Sequence, residues 1–182
     1  MDKKGLIRKK YFQIRKKRYF EINVNYFDPF VKLIKKLKIK NSNISIYQPN
    51  LYEVDIMKII SVESLKKFSF LLPVIEENGS MNFFRWKKND VLFVNKYGIL
   101  EPSKTKKIIP SIIMLPLLAF DKNKNRLGYG KGFYDKFLRK HVKNNKKILT
   151  IGVAFSFQKY NNLPINNRDF KLDYIITEKG IL

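Results

Sequence analysis

Residues 120 to 135, FDKNKNRLGYGKGFYD, combine glycines with charges of both signs in a spacing that suits phosphate and metal binding. Glycine lets the backbone approach an anion closely, and basic side chains neutralise phosphate oxygens. A carboxylate nearby is a ligand for a divalent cation such as Mg²⁺. The residues concerned are Arg126, Gly128, Gly130, Lys131, Gly132 and Asp135. One corner of the molecule could therefore hold a triphosphate together with its metal ion.

The segments on either side of this glycine run predict the elements that position it. Residues 108–120 are continuously apolar apart from Ser111 and two prolines, as expected of a strand buried on both faces of a parallel sheet. Residues 133–141 have helical spacing, and the amides of a first helical turn point at an anion. The same run could also be only a flexible turn. Its spacing matches neither a Walker loop nor a dinucleotide fingerprint.

Helices and strands alternate along the rest of the chain. Residues 81–94 are predicted to form a short strand pair around Trp86 with its turn at 87–90, and residues 97–110 a loop. The alternation predicts an α/β fold: a single three-layer α/β/α domain over residues 1–182, Rossmann-like, with a mostly parallel central sheet. The other predicted helices span 3–20, 29–38 and about 55–66, and the other strands span 44–47, 69–75, 148–155 and 174–177.

The predicted helix at residues 3–20 is strongly basic. Lys4, Arg8 and Arg15 lie on one stripe, at separations of four and seven residues. The stripe is either a solvated basic face or an arm that reaches phosphates. His141, the single histidine, is expected to be exposed in a basic tail, which excludes histidine triads and zinc sites.

Composition indicates a folded chain with a real core. Hydrophobic residues make up 45% and aromatic residues 14% of the 182 residues. No apolar run is long enough to span a membrane, the first residues show no secretion signal, and cysteine is absent. We therefore expect a cytoplasmic protein without disulfides.

The formal net charge of +23 is the main competing signal, because 38 Lys and Arg residues against 15 Asp and Glu residues are typical of nucleic-acid-binding domains. The cations are scattered along the chain, and lysine, isoleucine and asparagine are all over-used. A general drift of the composition toward these three residues would raise the net charge without any role in binding a partner. Attraction of a polyanionic substrate or RNA is the alternative.

Motifs in a fixed order along nearly the whole length resemble one enzyme family. The central segment reads LPLLAFD from Leu115 and NRLGYGKGFYD from Asn125, and Leu138 closes the pattern. The other segments that match are KGLIR (4–8), YQPNLYEVD (47–55), FRW (84–86), GILEP (98–102) and GVAF (152–155), with Gln158, Leu163, Pro164, Asp169, Asp173, Thr177 and Glu178. On these residues the chain resembles the 5-formyltetrahydrofolate cyclo-ligases, also called methenyltetrahydrofolate synthetases.

Some positions depart from the family pattern. Ser111 replaces a frequent aspartate, and Asn166 and Arg168 replace a glutamate and a histidine that are common beside Asp169. Arg168 could draw Asp169 into an ion pair and away from a cation. The sequence therefore supports Asp135 more strongly than Asp169 as a metal ligand.

The resemblance implies an ATP-dependent ligase. Such an enzyme converts 5-formyltetrahydrofolate to 5,10-methenyltetrahydrofolate and releases ADP and phosphate. In the family's accepted logic, the formyl oxygen attacks the γ-phosphate, and N10 then closes the ring. Mg²⁺ is the implied metal, and 5-formyltetrahydrofolate with its polyglutamates is the implied substrate. The chain is expected to act as a monomer, with no membrane and no nucleic-acid partner.

The resemblance also implies roles for single residues. Arg126 and Lys131 would stabilise charge on the transferred phosphoryl group, and the basic N-terminal helix would pack over the nucleotide site. Asp135 and Asp169 would hold Mg²⁺. ATP would contact Lys4, Arg8, Arg126, Leu127, Gly128, Tyr129, Gly130, Lys131, Gly132, Phe133 and Tyr134. The folate would contact Gln48, Glu53, Tyr129, Gly130, Lys131, Gly132 and Phe133, with Glu53 hydrogen-bonded to the pterin.

Two other readings remain open from the residues alone. A nucleic-acid-binding α/β module could use the glycine loop on RNA phosphates, and its binding would weaken steeply with salt. A ligase or kinase for another anionic metabolite could use the same phosphate site. For Trp86, Phe133 and Tyr134, a place in the core is the alternative to stacking on a ligand.

Overall fold

The computed structural model describes residues 2–142 and 147–182. The helices are α1 (Lys3–Arg18), α2 (Asp28–Lys36) and α3 (Phe133–Val142), with short 3₁₀ helices at Val24–Phe27, Ile56–Ser61, Glu63–Leu65 and Ser156–Gln158. The strands are β1 (Asn43–Ser45), β2 (Ser69–Ile75), β3 (Met81–Arg85), β4 (Leu92–Val94), β5 (Leu100–Pro102), β6 (Ile112–Pro116), β7 (Ala119–Phe120), β8 (Arg126–Leu127), β9 (Leu149–Val153), β10 (Tyr174–Thr177) and β11 (Gly180–Ile181).

A seven-stranded sheet in the order β11-β10-β9-β6-β1-β2-β3 forms the centre of the molecule. Strands β10, β9, β6, β1 and β2 run parallel, and the edge strands β11 and β3 are antiparallel to their neighbours. The pairs β4-β5 and β7-β8 form two small antiparallel ribbons outside it. The predicted α/β fold with a mostly parallel sheet is confirmed.

The central strand β6 is apolar throughout because both of its faces are covered. Ile112 and Met114 join the core on the side of α2, whereas Ile113 and Leu115 join the core on the side of α3. Their side chains alternate between the faces, as the two-residue period of a strand requires. The parallel strands therefore end together at one edge of a covered sheet, where the loops after them meet.

The predicted helix at about 55–66 is wrong. Asp55 caps a 3₁₀ helix, Ile56–Ser61, and Val62 then adopts an extended conformation before a second short turn. Several β-branched residues occupy this stretch, and such residues lose side-chain freedom in an α-helix. The apolar spacing correctly indicates buried residues, since Ile56 and Ile59 are fully buried. These residues lie in a short 3₁₀ helix and not in an α-helix.

The predicted strand pair at 81–94 is also wrong in its partners. Strand β3 pairs with β2, through a tight turn in which Gly79 has φ +75°. Strand β4 pairs with β5, which lies inside the predicted loop at 97–110, through a turn in which Gly98 has φ +72°. Glycine adopts such angles without strain, so these two turns direct the pairing rather than the polar segment at 87–90.

Two further expectations changed on folding. The apolar stretch 108–120 is not one strand, because β6 ends at Pro116 and β7 belongs to a separate ribbon. His141 is half-buried rather than exposed, and its ring centroid lies 4.3 Å from that of Phe137. Trp86 is buried in the core, as its alternative reading held.

Candidate active site

A cavity of about 730 Å³ opens where the parallel strands end. The loop after β1, the ends of β2 and β6 and the segment from β8 to α3 line it, and α1 and the β4-β5 ribbon close two of its sides. All residues predicted as ligand contacts line this cavity. They are Lys4, Arg8, Gln48, Glu53, Arg126, Leu127, Gly128, Tyr129, Gly130, Lys131, Gly132, Phe133, Tyr134, Asp135 and Asp169.

The glycine loop runs from the end of β8 to the start of α3 along one wall. Gly130 has φ +98° and Gly132 has φ +69°, both in the region that favours glycine. Arg8 of α1 donates from Nε to the Gly128 carbonyl at 2.9 Å. A side chain at position 130 would meet the Arg8 guanidinium, because a Cβ there would lie 3.2 Å from Cζ. The N-terminal helix thus packs directly against the glycine loop.

Asp121 shapes the connection that leads into this loop. Its buried carboxylate accepts hydrogen bonds from the amides of Asn123, Asn125 and Leu163. The Asn125 side chain donates to the same carboxylate at 3.0 Å. These hydrogen bonds hold the connection between β7 and β8, and Arg126 follows it at the cavity wall.

The two predicted metal carboxylates are each paired with a cation. Asp135 accepts from Arg126 Nη1 at 2.9 Å and from the Phe170 amide at 3.1 Å, both at Oδ1. Asp169 accepts from Lys4 and, at 2.7 Å, from the Asn166 amide, both at Oδ2. The cation beside Asp169 is therefore Lys4, rather than the sequence neighbour suspected of pairing with it.

Electrostatics link these two ion pairs. The side chain of Arg126 is only 6% exposed, and burial lowers the pKa of its guanidinium. The negative charges of Asp135 and Asp169 oppose that effect, so both carboxylates act on the same cation. Arg126 stays charged and lies at the centre of the anionic part of the site.

No group of three or more histidine, cysteine or acidic side chains arranged to hold a metal ion occurs within residues 2–142 and 147–182. The two aspartates nevertheless keep binding capacity. In the part of the chain that is described, Asp135 Oδ2 and Asp169 Oδ1 accept no hydrogen bond from protein. Mg²⁺ is commonly bound by one or two carboxylates, with phosphate oxygens and waters completing its shell. The residues present fit that mode.

The opposite end of the cavity contains a buried acid. Glu53 is 7% exposed, and its Oε2 accepts from the Asn50 amide at 3.0 Å. Burial raises the pKa of Glu53, whereas the charge of Arg15 and hydrogen bonds from Asn50 and Tyr129 oppose the rise. Gln48 adds a buried Oε1 that has no hydrogen-bond partner among the described residues. This end of the cavity therefore presents two acceptors, of which Gln48 Oε1 is unpaired among the described residues.

Two phenols, Tyr129 and Tyr134, also line the cavity. Burial raises the pKa of Tyr129 and of Tyr134 well above the usual range, and the charge of Glu53 raises both further. Both hydroxyls therefore stay protonated at neutral pH and can act as hydrogen-bond donors.

Arg15 is a site residue that the sequence analysis did not assign. Its side chain is 1% exposed, and it contacts the Tyr129 hydroxyl beside the cavity. The stripe formed with Lys4 and Arg8 was the available signal, since all three residues face the same side of α1. Arg15 could not be distinguished by sequence from the many other basic residues of this helix.

Tyr97 is a second unassigned residue. The Lys131 ammonium lies 3.5 Å from the centroid of its ring, and the ring itself packs against Phe133 at 6.0 Å. Asn95 accepts from the Tyr97 amide and donates to Glu101, which also accepts from the Ile75 amide of β2. The turn that carries Tyr97 is thereby anchored to the sheet. Nothing in the local sequence pattern identified this contact.

No helix in the described part of the chain is both long and apolar enough to cross a membrane.

Comparison with protein families finds a match over residues 1–178 to the 5-formyltetrahydrofolate cyclo-ligase family. The 5-formyltetrahydrofolate cyclo-ligase of Haemophilus influenzae is 31% identical over 149 residues, which cover 78% of each chain. The enzyme of the same name from Mycoplasma genitalium is 32% identical over 145 residues, or 79% of this chain and 76% of that one.

Solved structures agree with these relatives. The 5,10-methenyltetrahydrofolate synthetase of Aquifex aeolicus superimposes with a TM-score of 0.77 at 32% identity, covering 98% of this chain and 91% of that one. The synthetase of Mycoplasma pneumoniae shares the fold, with a TM-score of 0.70 at 23% identity over 97% and 99% of the two chains. The resemblance noted from the sequence is confirmed.

Proposed function

This chain belongs to the 5-formyltetrahydrofolate cyclo-ligase family, and from that premise we propose that its cavity uses ATP to convert 5-formyltetrahydrofolate to 5,10-methenyltetrahydrofolate. Membership makes the chain a ligase of folate metabolism. One observation supports the proposal most directly: a single cavity joins the buried acceptor Glu53 to a cation-lined glycine loop. A folate and a triphosphate need these two ends.

The folate is proposed to enter with its pterin toward Glu53. A pterin presents N–H donors along one edge, and an ionised carboxylate can accept them. Gln48 offers the unpartnered oxygen described above, and Tyr129 offers a protonated hydroxyl. A ligand that left these buried groups unpaired would bind poorly, because each orphaned group costs about 1–3 kcal/mol. The pocket therefore selects a flat, donor-rich ring.

ATP is proposed to lie along the glycine loop under α1. Gly128, Gly130 and Gly132 allow its phosphates to approach the backbone, and Lys131 and Arg8 border the same wall. Lys131 and Arg126 would neutralise the charge that develops on the transferred phosphoryl group. Positioning and neutralisation supply most of the rate enhancement in phosphoryl transfer.

The proposed chemistry has two steps. The formyl oxygen of the folate bonds to the γ-phosphorus as the bond to the β,γ-bridging oxygen breaks, and ADP leaves. The N10 lone pair then attacks the formyl carbon, its carbon–oxygen bond to phosphate breaks, and N10 loses its proton. The protein aligns the two reactants and excludes water between them. No side chain has to form a covalent bond.

Mg²⁺, when bound, would neutralise phosphate charge and fix the phosphate geometry. Asp135 and Asp169 would hold it through their uncommitted oxygens or through its waters. Arg126 and Lys4 fix the orientation of the two carboxylates. These cations also limit repulsion between the carboxylates and the triphosphate.

All residues with a proposed role belong to one chain and line one cavity. We therefore propose that the protein acts as a monomer. We also propose that polyglutamylated forms of the folate are substrates. Gel filtration of the active enzyme and a comparison of KM between mono- and polyglutamates test these two points.

The proposal is tested by the absorbance of the methenyl product when purified protein meets 5-formyltetrahydrofolate, Mg²⁺ and ATP. The variant Asp135→Asn removes the metal carboxylate, and Asp90→Asn makes the same change on an exposed residue outside the cavity. We expect ATP-dependent product from the wild type and from Asp90→Asn, and a loss of at least about tenfold in Asp135→Asn. Full activity of folded Asp135→Asn would contradict its role.

A further inference from the structure

Arg15 presents a fully buried charge that the proposed reaction does not use. Its Nη2 donates to the Leu51 carbonyl at 2.7 Å and to the Tyr129 hydroxyl, and its Nη1 donates to the Leu117 carbonyl at 3.3 Å. Leu51 precedes Glu53 in the loop after β1, and Leu117 directly follows β6. One guanidinium thus ties α1 to the loop that carries Glu53 and to the segment directly after β6, whose last residue, Pro116, lines the cavity.

Burying a guanidinium without a carboxylate in contact is costly, so its position calls for compensation. No direct ion pair involves Arg15 in the described part of the chain. The neighbouring negative charge is that of Glu53, which interacts electrostatically with Arg15 without a direct ion pair. A fixed positive charge therefore faces the acid that is proposed to receive the pterin.

The hydroxyl of Tyr129 lies between these two groups. Since Arg15 donates to its oxygen, the phenolic proton must point away from Arg15. The guanidinium also lies 5.5 Å from the centroid of the Tyr129 ring, so it contacts both the face and the hydroxyl of this residue. Arg15 thereby determines where Tyr129 can donate: toward Glu53 or toward a ligand.

We propose that Arg15 is a positioning residue for the folate: it locks the Tyr129 hydroxyl and faces Glu53 with positive charge, so that both present fixed polar groups to the pterin. This inference rests on the proposed function and adds a residue of the N-terminal helix to folate binding. The same stripe of α1 then serves both substrates, with Lys4 and Arg8 at the phosphate end and Arg15 at the pterin end.

The groups around Glu53 determine how the site responds to pH. Tyr47 follows β1, Tyr129 lies in the glycine loop, and Tyr134 lies on α3; each is a neutral phenol whose own pKa the charge of Glu53 raises. Arg15 is the cation among these neighbours. Burial raises the pKa of Glu53 and Arg15 opposes it, so loss of Arg15 raises that pKa further.

The expected consequence is a shift on the acidic side of the pH profile. Both oxygens of Glu53 can accept from the pterin when the group is ionised, whereas protonation turns one of them into a donor. The ionised form is lost as the pH falls through its pKa. Without Arg15 this loss occurs at a higher pH. The fall in kcat/KM for the folate therefore begins at a higher pH than in the wild type.

The test compares Arg15→Met, Arg15→Lys and Tyr129→Phe in steady-state assays from about pH 6 to about pH 9. We expect Arg15→Met to raise KM for 5-formyltetrahydrofolate about tenfold or more, with KM for ATP changed less than about threefold. On the acidic side of its pH profile, the fall in kcat/KM for the folate should begin at a higher pH than in the wild type. Arg15→Lys should keep the wild-type limb, because it keeps the charge.

Tyr129→Phe keeps the inference falsifiable if Arg15→Met does not fold. It removes only a hydroxyl at the cavity wall, and we expect KM for the folate to rise at least about threefold. An unchanged KM in Tyr129→Phe would overturn the inference. So would an Arg15→Met enzyme whose KM values for both substrates rise equally with an unshifted pH limb. A wild-type protein that makes no methenyl product would instead refute the proposed function itself.

Discussion

Replacing Gly130 by alanine tests whether the contact between α1 and the glycine loop supports ATP use. An alanine Cβ at this position would lie 3.2 Å from Arg8 Cζ and 3.3 Å from Arg8 Nη2. The guanidinium would have to move, and its bond to the Gly128 carbonyl at 2.9 Å would be strained or lost. Position 130 also has φ +98°, where alanine is unfavourable whatever the space.

Gly132→Ala is the matched control. Its φ of +69° imposes backbone strain as well, but a Cβ there would meet no atom within 4 Å. An alanine at φ +69° costs about 1–2 kcal/mol, and at φ +98°, outside the left-handed region open to alanine, it costs at least as much. Gly130→Ala adds the displacement of a half-buried charged hydrogen bond, which costs about 1.5 kcal/mol at the lower end of the usual range. The difference between the variants corresponds to about tenfold in a rate or equilibrium constant.

Initial rates of methenyl product formation at varied ATP give kcat/KM for each variant. We expect the value for Gly130→Ala to lie about tenfold below that for Gly132→Ala, with thermal melting to verify that both variants fold. Equal values would refute the reasoning, because they would show that backbone strain alone accounts for the loss and that the position of Arg8 is irrelevant.

Two further substitutions test other contacts. Tyr97→Leu removes the ring beneath the Lys131 ammonium, a cation–π contact worth about 0.5–1 kcal/mol, so kcat/KM for ATP should fall about two- to fivefold while Tyr97→Phe stays near the wild type. Equal rates for the leucine and phenylalanine variants would exclude this role. Gly152→Ala should lower the melting temperature by roughly 3–10 °C, because its Cβ would lie 2.8 Å from two leucine side chains and overpacking costs about 1–3 kcal/mol. An unchanged melting curve would show that this part of the core can yield.

Several features could be read from local sequence because the cause is itself local. Spacing within a few residues predicts the helix at the N-terminus, the strand at 69–75 and the glycine loop. The ordered motifs then located the family and the residues around one cavity. The glycine run could be placed between a buried strand and a helix, because the apolar segment before it and the helical spacing after it are both local patterns.

Strand partners could not be read in the same way. A polar segment at 87–90 looks like a hairpin turn, yet β3 and β4 pair with different strands. Two glycines at positive φ decide this, and their angles are visible only after folding. A pattern of alternating residues predicts a strand without predicting which strand lies beside it.

The amino-acid sequence alone predicts the family, the fold class and the candidate ligand contacts that line the cavity, but not Arg15 or Tyr97. Only the tertiary structure decided which cation meets which anion: Lys4 meets Asp169, Arg126 meets Asp135, and Arg15 lies beside Glu53. The reason is that a basic stripe on a helix has the same spacing whether it faces water or a cavity. The burial of a side chain depends on elements that are far apart along the chain, and burial affects both the pKa of a charged group and its interaction with neighbouring charges.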